Sequence, residues 1–482
     1  MSLSTALHAA RSGLHITSRA AQVVADNIAN SQTPGYGVRS VSQAAQVLGG
    51  AGQGVALLGL SRHADPALHA EFRDSLARHQ GHNTLADFWN SLVTRLGEPG
   101  ATGSLDARIS QLESALAQAA TTPDSVASLQ QVARAADALV TGVVQIDSAL
   151  QGARDQADAA IAEDVDSLNR SLAQIARLND DIQRQTLAGR DTNALKDQRQ
   201  LLIDQAAAIL PLKEVPRRDG QVMLLGADGT ILLDREPAHI GFTRTPQPAA
   251  EERVEAGALG RIEIDGRALG GDHALLASGR LGAALHLRDV AAPRLQEQLD
   301  GLASDLVARF AQPDIDPTLP AGEMGLIVEN HGAHATPGAP GAAGRLALNP
   351  LIDPDQPDSL ARLRDGLYAT LPGPVGDNAQ LARLAAALKA PTPSPLSSAG
   401  AAGSVHGHAA ELMAGVWRSV STSEDALAHA AARHAALDEA IKANGVDTDS
   451  ELQHLMTLEK AYAANARVMA TVDAMLRQLM EI

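Results

Sequence analysis

Sixteen histidines stand out among the residues of this 482-residue chain that can do chemistry. The closest pairs are His331-x-x-His334 and His406-Gly-His408, with His429 and His434 five apart further on. None has the H-E-x-x-H spacing that puts two ligands and a general base on one helix face. His331 and His334 have only Glu329 near them in a Gly/Pro-rich stretch, so they read as solvated loop histidines and no metal is expected. No G-x-S-x-G elbow supports a serine nucleophile. A Gly-Lys-Ser/Thr phosphate loop and a G-x-G-x-x-G dinucleotide loop are also missing. Cysteine is absent, which removes disulfides, thiolate metal sites and cysteine nucleophiles. The 56 Asp and Glu, in a chain of net charge −17, read as solvated faces. An enzyme reading has no positive support, and no cofactor is expected. The acidic balance, with two Trp, three Tyr and four Phe, leaves neither a basic footprint nor stacking platforms for nucleic acid.

The patterned chemistry is instead apolar, and it sits at the two ends. From Leu455 the positions Leu455, Leu458, Tyr462, Asn465, Met469, Val472, Leu476 and Leu479 alternate in steps of three and four. That is a coiled-coil seam with one polar member, Asn465, of the kind that fixes register or partner. Asn444-Gly445 reads as a helix stop with glycine in the left-handed conformation. Thr448 and Glu451 have the spacing of a capping box for the new helix. At the other end Leu3, Leu7, Ala10, Leu14, Thr17, Ala21, Val24 and Ile28 keep the same steps. A helix of about 28 residues is a rod of roughly 42 Å. Such rods are marginal alone in water. Either they close the fold as an intramolecular hairpin or they enter a bundle of identical chains.

Between the ends, Thr33-Pro34-Gly35-Tyr36 has the residues of a type II turn. Residues 37–54, with Gly49-Gly50-Ala51-Gly52, read as a flexible connector. Residues 66–212 are helical and alanine-rich, broken near Pro123, with a clear stripe at Val165, Leu168, Leu172, Ile175, Leu178 and Ile182. Then the period changes: Val222-Met223-Leu224-Leu225 and Thr230-Ile231-Leu232-Leu233 flank Gly226-Ala227-Asp228-Gly229 as a hairpin, and Asp265-Gly266 marks another turn. Helix returns over 279–311, 378–389 and 405–443, with loops at 312–344 and 390–404 and a short strand at 345–348. The expected fold is mainly α: a long helical bundle with paired N- and C-terminal coiled-coil helices and a smaller inserted β-rich domain. The terminal helices take 1–45 and 446–482; the bundle takes 56–212, 277–311 and 376–445; the β-rich domain takes 213–276, to which the 312–375 segment can be joined. No stretch reaches 18 apolar residues and no signal peptide is evident, so neither a membrane span nor cleaved export is expected.

The stretch Asp26-Asn27-Ile28-Ala29-Asn30-Ser31-Gln32-Thr33-Pro34-Gly35-Tyr36 resembles the N-terminal signature of the bacterial flagellar axial proteins, the rod, hook and hook-associated group. The end, Glu459-Lys460-Ala461-Tyr462-Ala463-Ala464-Asn465-Ala466-Arg467-Val468-Met469, resembles the matching C-terminal signature. Asn27, Asn30, Thr33, Pro34, Gly35, Tyr36, Ala464, Asn465 and Arg467 carry these two matches. Three internal stretches are similar to the hook-associated members: residues 165–182, the Asn193-x-Leu195-x-Asp197-x-Arg199 run, and residues 279–289 with Arg288-Asp289. Two departures are Gly37-Val38-Arg39 for the usual Ser-Arg-Gln and Glu459-Lys460 for paired glutamines. The chain is short for the group, which implies that an outer domain of some relatives is missing.

The resemblance implies a non-enzymatic part of the hook–filament junction, secreted unfolded through the flagellum's type III export apparatus. It implies terminal helices that polymerise into a ring of copies of the chain. The implied partners are the hook protein, the next hook-associated junction protein, and a cytoplasmic export chaperone at the C-terminal helix, with no nucleic acid and no membrane. The alternatives are another axial protein, hook or distal rod, and a soluble enzyme with helical-hairpin termini.

Overall fold

The computed structural model describes residues 3–48, 51–98, 100–330, 340–396 and 402–480. His331 and His334 lie outside them. The chain opens with α1 (Leu3–Ala29), a hairpin of β1 (Arg39–Leu48) and β2 (Ala51–Arg62), then α2 (Pro66–Leu96), α3 (Leu105–Thr121), α4 (Val126–Leu187) and α5 (Asn193–Ile209). Strands β3 (Leu212–Pro216), β4 (Val222–Gly226) and β5 (Ile231–Leu233) form one small antiparallel sheet. Strands β6 (Ile240–Gly241), β7 (Glu263–Ile264) and β8 (Arg267–Ala268) form another. Next come α6 (Gly279–His286), a π-helical turn (Leu287–Ala291) and α7 (Ala292–Phe310). Strands β9 (Ile327–Glu329) and β10 (Leu346–Leu348) pair, followed by the short α8 (Pro357–Leu360) and α9 (Arg362–Asp365). The remainder is α10 (Ala379–Lys389), α11 (Val405–Ala443) and α12 (Thr448–Met480). The fold is mainly α. Among the described residues no helix is long and apolar enough to cross a membrane.

The 62-residue α4 is the spine; at 1.5 Å per residue it runs about 93 Å. Two apolar cores are strung along it. Its first half packs with α3, α7, α10 and α11 around Leu112, Leu139, Leu150, Leu299, Leu306 and Leu412. Its second half presents Val165, Leu168, Leu172 and Ile175 to α5, α6 and the two small sheets. Ser125 caps the start of α4 beyond Pro123, its hydroxyl accepting from Ser128 N. The polar residues beside the second stripe are clamps. The Asn169 amide makes both bonds to the backbone of Ile240, and the Asn179 amide does the same at Val222. Each thus satisfies a strand edge that the helix would otherwise bury unpaired.

Three local expectations are corrected. Residues 37–54 are not a flexible connector, because 39–48 and 51–62 pair in the β1–β2 hairpin, with register shifts at Ser42/Gln43 and Ala45/Val47. Gly54 serves contact: a Cβ there would collide with Ser12 and Ala9 of α1. At the stop after α11, Gly445 does not take a left-handed φ; a Cβ there would sit 2.9 Å from Lys442 O, so close approach demands the glycine. At the start of α12 the cap is Asp447, whose carboxylate accepts from Asp449 N and Ser450 N, and Glu451 is drawn elsewhere. The Thr33–Tyr36 turn is as expected, with Gly35 at φ 76° and Tyr36 N bonded to Thr33 O.

Candidate assembly interface

Helices α1 and α12 lie antiparallel along one another. Asn27 meets Glu451 near one end, and Gly13 meets Asn465 near the middle. A Cβ on Gly13 would stand 2.7 Å from Asn465 Nδ2, so the seam asparagine fills the notch that the glycine leaves. Along α1, Ala10 and Val24 are buried, and Leu3, Leu7, Leu14, Thr17, Ala21 and Ile28 are half-buried. Along α12, Val472 is buried, and Leu455, Leu458, Asn465 and Leu476 are half-buried. Tyr462, Met469 and Leu479 are 49%, 37% and 59% exposed. Val468, Met475 and Met456 are exposed beside them. The apolar stripe of α12 is therefore wider than one partner helix covers.

Helix α1 has a second face that the seam reading missed. Ser12, Ile16, Ala20, Val23 and Asn27 recur at steps of four, four, three and four, and Ile16, Ala20, Val23 and Asn27 are buried. Ser12 Oγ accepts from Val55 N, which places this face against the hairpin. The signal was in the sequence as a second helical stripe one position removed from the first.

Asn27 is the knot of the site. It is fully buried, and its amide makes four hydrogen bonds. Oδ1 accepts from Tyr36 Oη at 2.8 Å and Arg39 N at 3.1 Å; Nδ2 donates to Arg39 O at 2.8 Å and to Glu451 Oε1 at 3.0 Å. An asparagine is needed because only an amide offers two donors and two acceptor lone pairs in one plane. Arg39 also covers the Tyr36 ring, 4.8 Å from its centroid. Burial raises the Tyr36 pKa, with Arg39 opposing it. Glu451 Oε2 is buried with no hydrogen-bond partner among the described residues. A desolvated carboxylate oxygen left unpaired costs about 1–3 kcal/mol, so α12 docks on α1 at a penalty.

The hairpin is tied to α5 by Asp197. Its carboxylate accepts from Gly37 N at 3.1 Å, Arg39 Nη2 at 2.8 Å and Arg62 Nε at 2.6 Å. Asn193 donates to Leu60 O. Arg199 turns the other way and bonds Asn179 Oδ1 and Gly220 O; burial, with Arg62 and Arg73 nearby, lowers its pKa to about 10. Gly35 sits on Leu201, where a Cβ would come within 2.6 Å. Asn30 and Thr33 hold the turn, with Thr33 Oγ1 on Asn30 Oδ1, and Pro34 is exposed on it. Ala464 and Arg467 lie exposed on α12. Arg288 is fully buried against Asp158 at 2.6 Å, and with Arg154, which bonds Ala249 O and Glu252 O, it pins the 245–260 loop to α4. Glu451, Asp197 and Arg39 were not singled out in the sequence as interface residues.

Of the histidine pairs, His406/His408 and His429/His434 lie in the described residues. His406 and His429 are exposed, and His408 is buried against Asp305. Among the described residues no three His, Cys, Asp or Glu are placed to hold a metal ion.

Comparison with known proteins falls on these same segments. The family model described as "Flagella basal body rod protein" matches residues 7–36, and "Flagellar basal body rod FlgEFG protein C-terminal" matches 438–482. The antiparallel α1–α12 pair thus carries the pattern of the flagellar axial proteins. The model described as "Flagellar hook-associated protein FlgK helical domain" matches residues 90–313, from the end of α2 through α7. Within that class the chain is similar to flagellar hook-associated protein 1. It is 27% identical over 314 residues to that protein of Salmonella typhimurium, covering 62% of this chain and 55% of the relative. It is 24% identical over 408 residues to that of Bacillus subtilis, covering 79% of each. The chain thus spans just over half the length of the Salmonella relative. A solved structure, the flagellar hook junction protein FlgK from Burkholderia pseudomallei, aligns at TM-score 0.45 and 17% identity over 54% of this chain and 46% of that one.

Proposed function

We propose that this chain is a non-enzymatic structural component of the bacterial flagellum that joins hook to filament by polymerising through its terminal helices. The observation that carries the reading is the α1–α12 pair, whose outer apolar positions Tyr462, Met469 and Leu479 stay exposed after the two rods have paired. Exposed apolar side chains at seam spacing favour a third and fourth helix. The terminal segments 1–45 and 446–482, which carry the α1–α12 pair and the start of the hairpin, are the assembly domain. The helical segments 56–212, 277–311 and 376–445, with the exception of the hairpin strand to Arg62, set its radius. The small sheets within 213–276 lean on the second half of α4, and the 312–375 segment leans on its first half. The match over 90–313 favours a hook-associated protein over hook or rod.

Its partners are then further copies of itself in a ring, the hook protein below, the next junction protein above, and an export chaperone that covers the α12 stripe beforehand. Its place is the hook–filament junction, reached through the flagellar export apparatus. The signature residues act within the chain on this reading: Asn27 and Tyr36 aim α1 relative to the hairpin, and Asn465 fits the notch at Gly13. The test is microscopy of hook tips in cells making Leu476→Asp, with the purified variant melted beside the parent. Hooks that end without a junction layer, with an unchanged melting transition, are expected. Normal incorporation of the variant refutes the reading.

A further inference from the structure

Outside the assembly site, α2 and α11 run antiparallel, and their contact changes character halfway along. Near α3 and α7 it is a deep core containing Phe88, Leu92, Met413 and Val416. Beyond Ser423 no residue of α11 is buried. The last 20 residues, 424–443, lean on α2 through half-buried Leu427, Ala430, His434, Leu437 and Ile441. In this thin contact His434 stacks on His79 of α2, with ring centroids 5.4 Å apart and planes 13° apart, and meets Phe72 at 4.9 Å. The Nδ1 atoms of both histidines are buried without a hydrogen-bond partner among the described residues.

Neutral imidazoles tolerate this arrangement, since each can leave Nδ1 as a lone pair against carbon. Charged ones do not. Protonation turns each Nδ1 into an N–H donor with no acceptor and sets two like charges face to face in a partly desolvated seam. The charged groups facing the pair offer little relief. Asp438, one turn along α11, is held by Lys442 Nζ at 2.6 Å. On α2, Arg78 is engaged by Asp74, and His82 stands beside it as a further base. From this geometry we infer that the stacked His79–His434 pair is a pH-sensitive latch: acidification releases residues 424–443 of α11 from α2, and with them the base from which α12 springs.

The sign is fixed by the direction of titration. Burial, then the neighbouring His79, lowers the His434 pKa from its ordinary 6.5. The released segment takes up the proton as pH falls through 6.5, and the docked segment resists it. Docking is therefore complete above that value and weakens below it, by up to about tenfold per pH unit for each proton taken up. The inference stands whether or not the chain assembles in a flagellum.

The test is hydrogen exchange of the full chain at pH 7.5 and pH 5.5, corrected for the intrinsic pH dependence of exchange. Opening of 424–443 should rise at the lower pH, by up to about tenfold, while α3 and α4 stay protected. His434→Leu should keep the protection and lose the pH response; His69→Gln, at a distant lowered histidine of α2, should keep the response. An unchanged 424–443 segment at pH 5.5, or the same response in His434→Leu, overturns the latch. If His434→Leu loses protection at both pH values, His434→Phe, which keeps a ring against His79 and Phe72, is the second variant, and a pH response surviving in it overturns the latch equally.

Discussion

Replacing Asn27 by alanine separates what the knot does for the hairpin from what it does for α12. Four hydrogen bonds are lost: those from Tyr36 Oη and Arg39 N, and those to Arg39 O and Glu451 Oε1. At about 1 kcal/mol net each for the three neutral bonds, the attachment of the hairpin to α1 weakens by about 3 kcal/mol. The loss on the α12 side is of a different kind. Glu451 Oε2 already lacks a partner, so the variant leaves a buried carboxylate with no bond on either oxygen. A bond to a charged group is worth about 1.5–3 kcal/mol, which is a roughly 10- to 150-fold rise in opening of the first turns of α12. Adding Glu451→Ala removes the stranded charge, so the double variant should recover most of the α12 protection while the hairpin stays loosened. Hydrogen exchange read separately over 39–62 and 448–460 is the assay, and the coupling is the double-mutant difference. Unchanged protection of both segments in Asn27→Ala refutes the reasoning. So does a double variant whose α12 opens as far as in Asn27→Ala.

Other perturbations reach the neighbouring contacts. Gly13→Leu must displace Asn465, and overpacking of this kind costs about 1–3 kcal/mol; exchange should rise on both sides of residue 465 while global melting stays put. Asp197→Ala leaves Arg39 and Arg62 without their shared carboxylate. Breaking such a pair costs about 3–5 kcal/mol when fully buried, somewhat less at this depth, and limited proteolysis should cut the hairpin first. Val472→Asp puts a charge at the buried position of the α12 seam and should detach α12 even in the single chain, whereas Leu479→Asp, exposed there, should leave the monomer's exchange pattern unchanged.

Much of this fold was legible because its helices are long and regularly striped. Helix α11 spans the residues its pattern predicted, and the turn at Gly35 has the φ that Pro-Gly demands. The hairpin was hidden because its glycines resemble those of a linker; only the facing Ser12 and Ala9 show why Gly54 must be small. Glu451 was legible as a helix-start residue but not as a partner of Asn27, since 424 positions separate them. Asp197 likewise joins segments far apart in the chain, which no local spacing encodes. The seam positions were readable one helix at a time. Which of them face α1 and which stay exposed depends on the wider stripe that Val468 and Met475 add, beyond what one helix can cover.

The most direct test uses the absence of cysteine, which lets single thiols be placed without background. Tyr462→Cys and Leu479→Cys put a thiol at exposed seam positions of α12, and Ala464→Cys puts one at another exposed position. Oxidative cross-linking is then compared in isolated flagella and in the purified monomer. The account predicts covalent multimers of this chain in flagella from the Tyr462 and Leu479 variants, none from the monomer, and loss of maleimide reactivity at those two positions on assembly. Thiols that stay equally reactive in both forms and yield no multimers would contradict it.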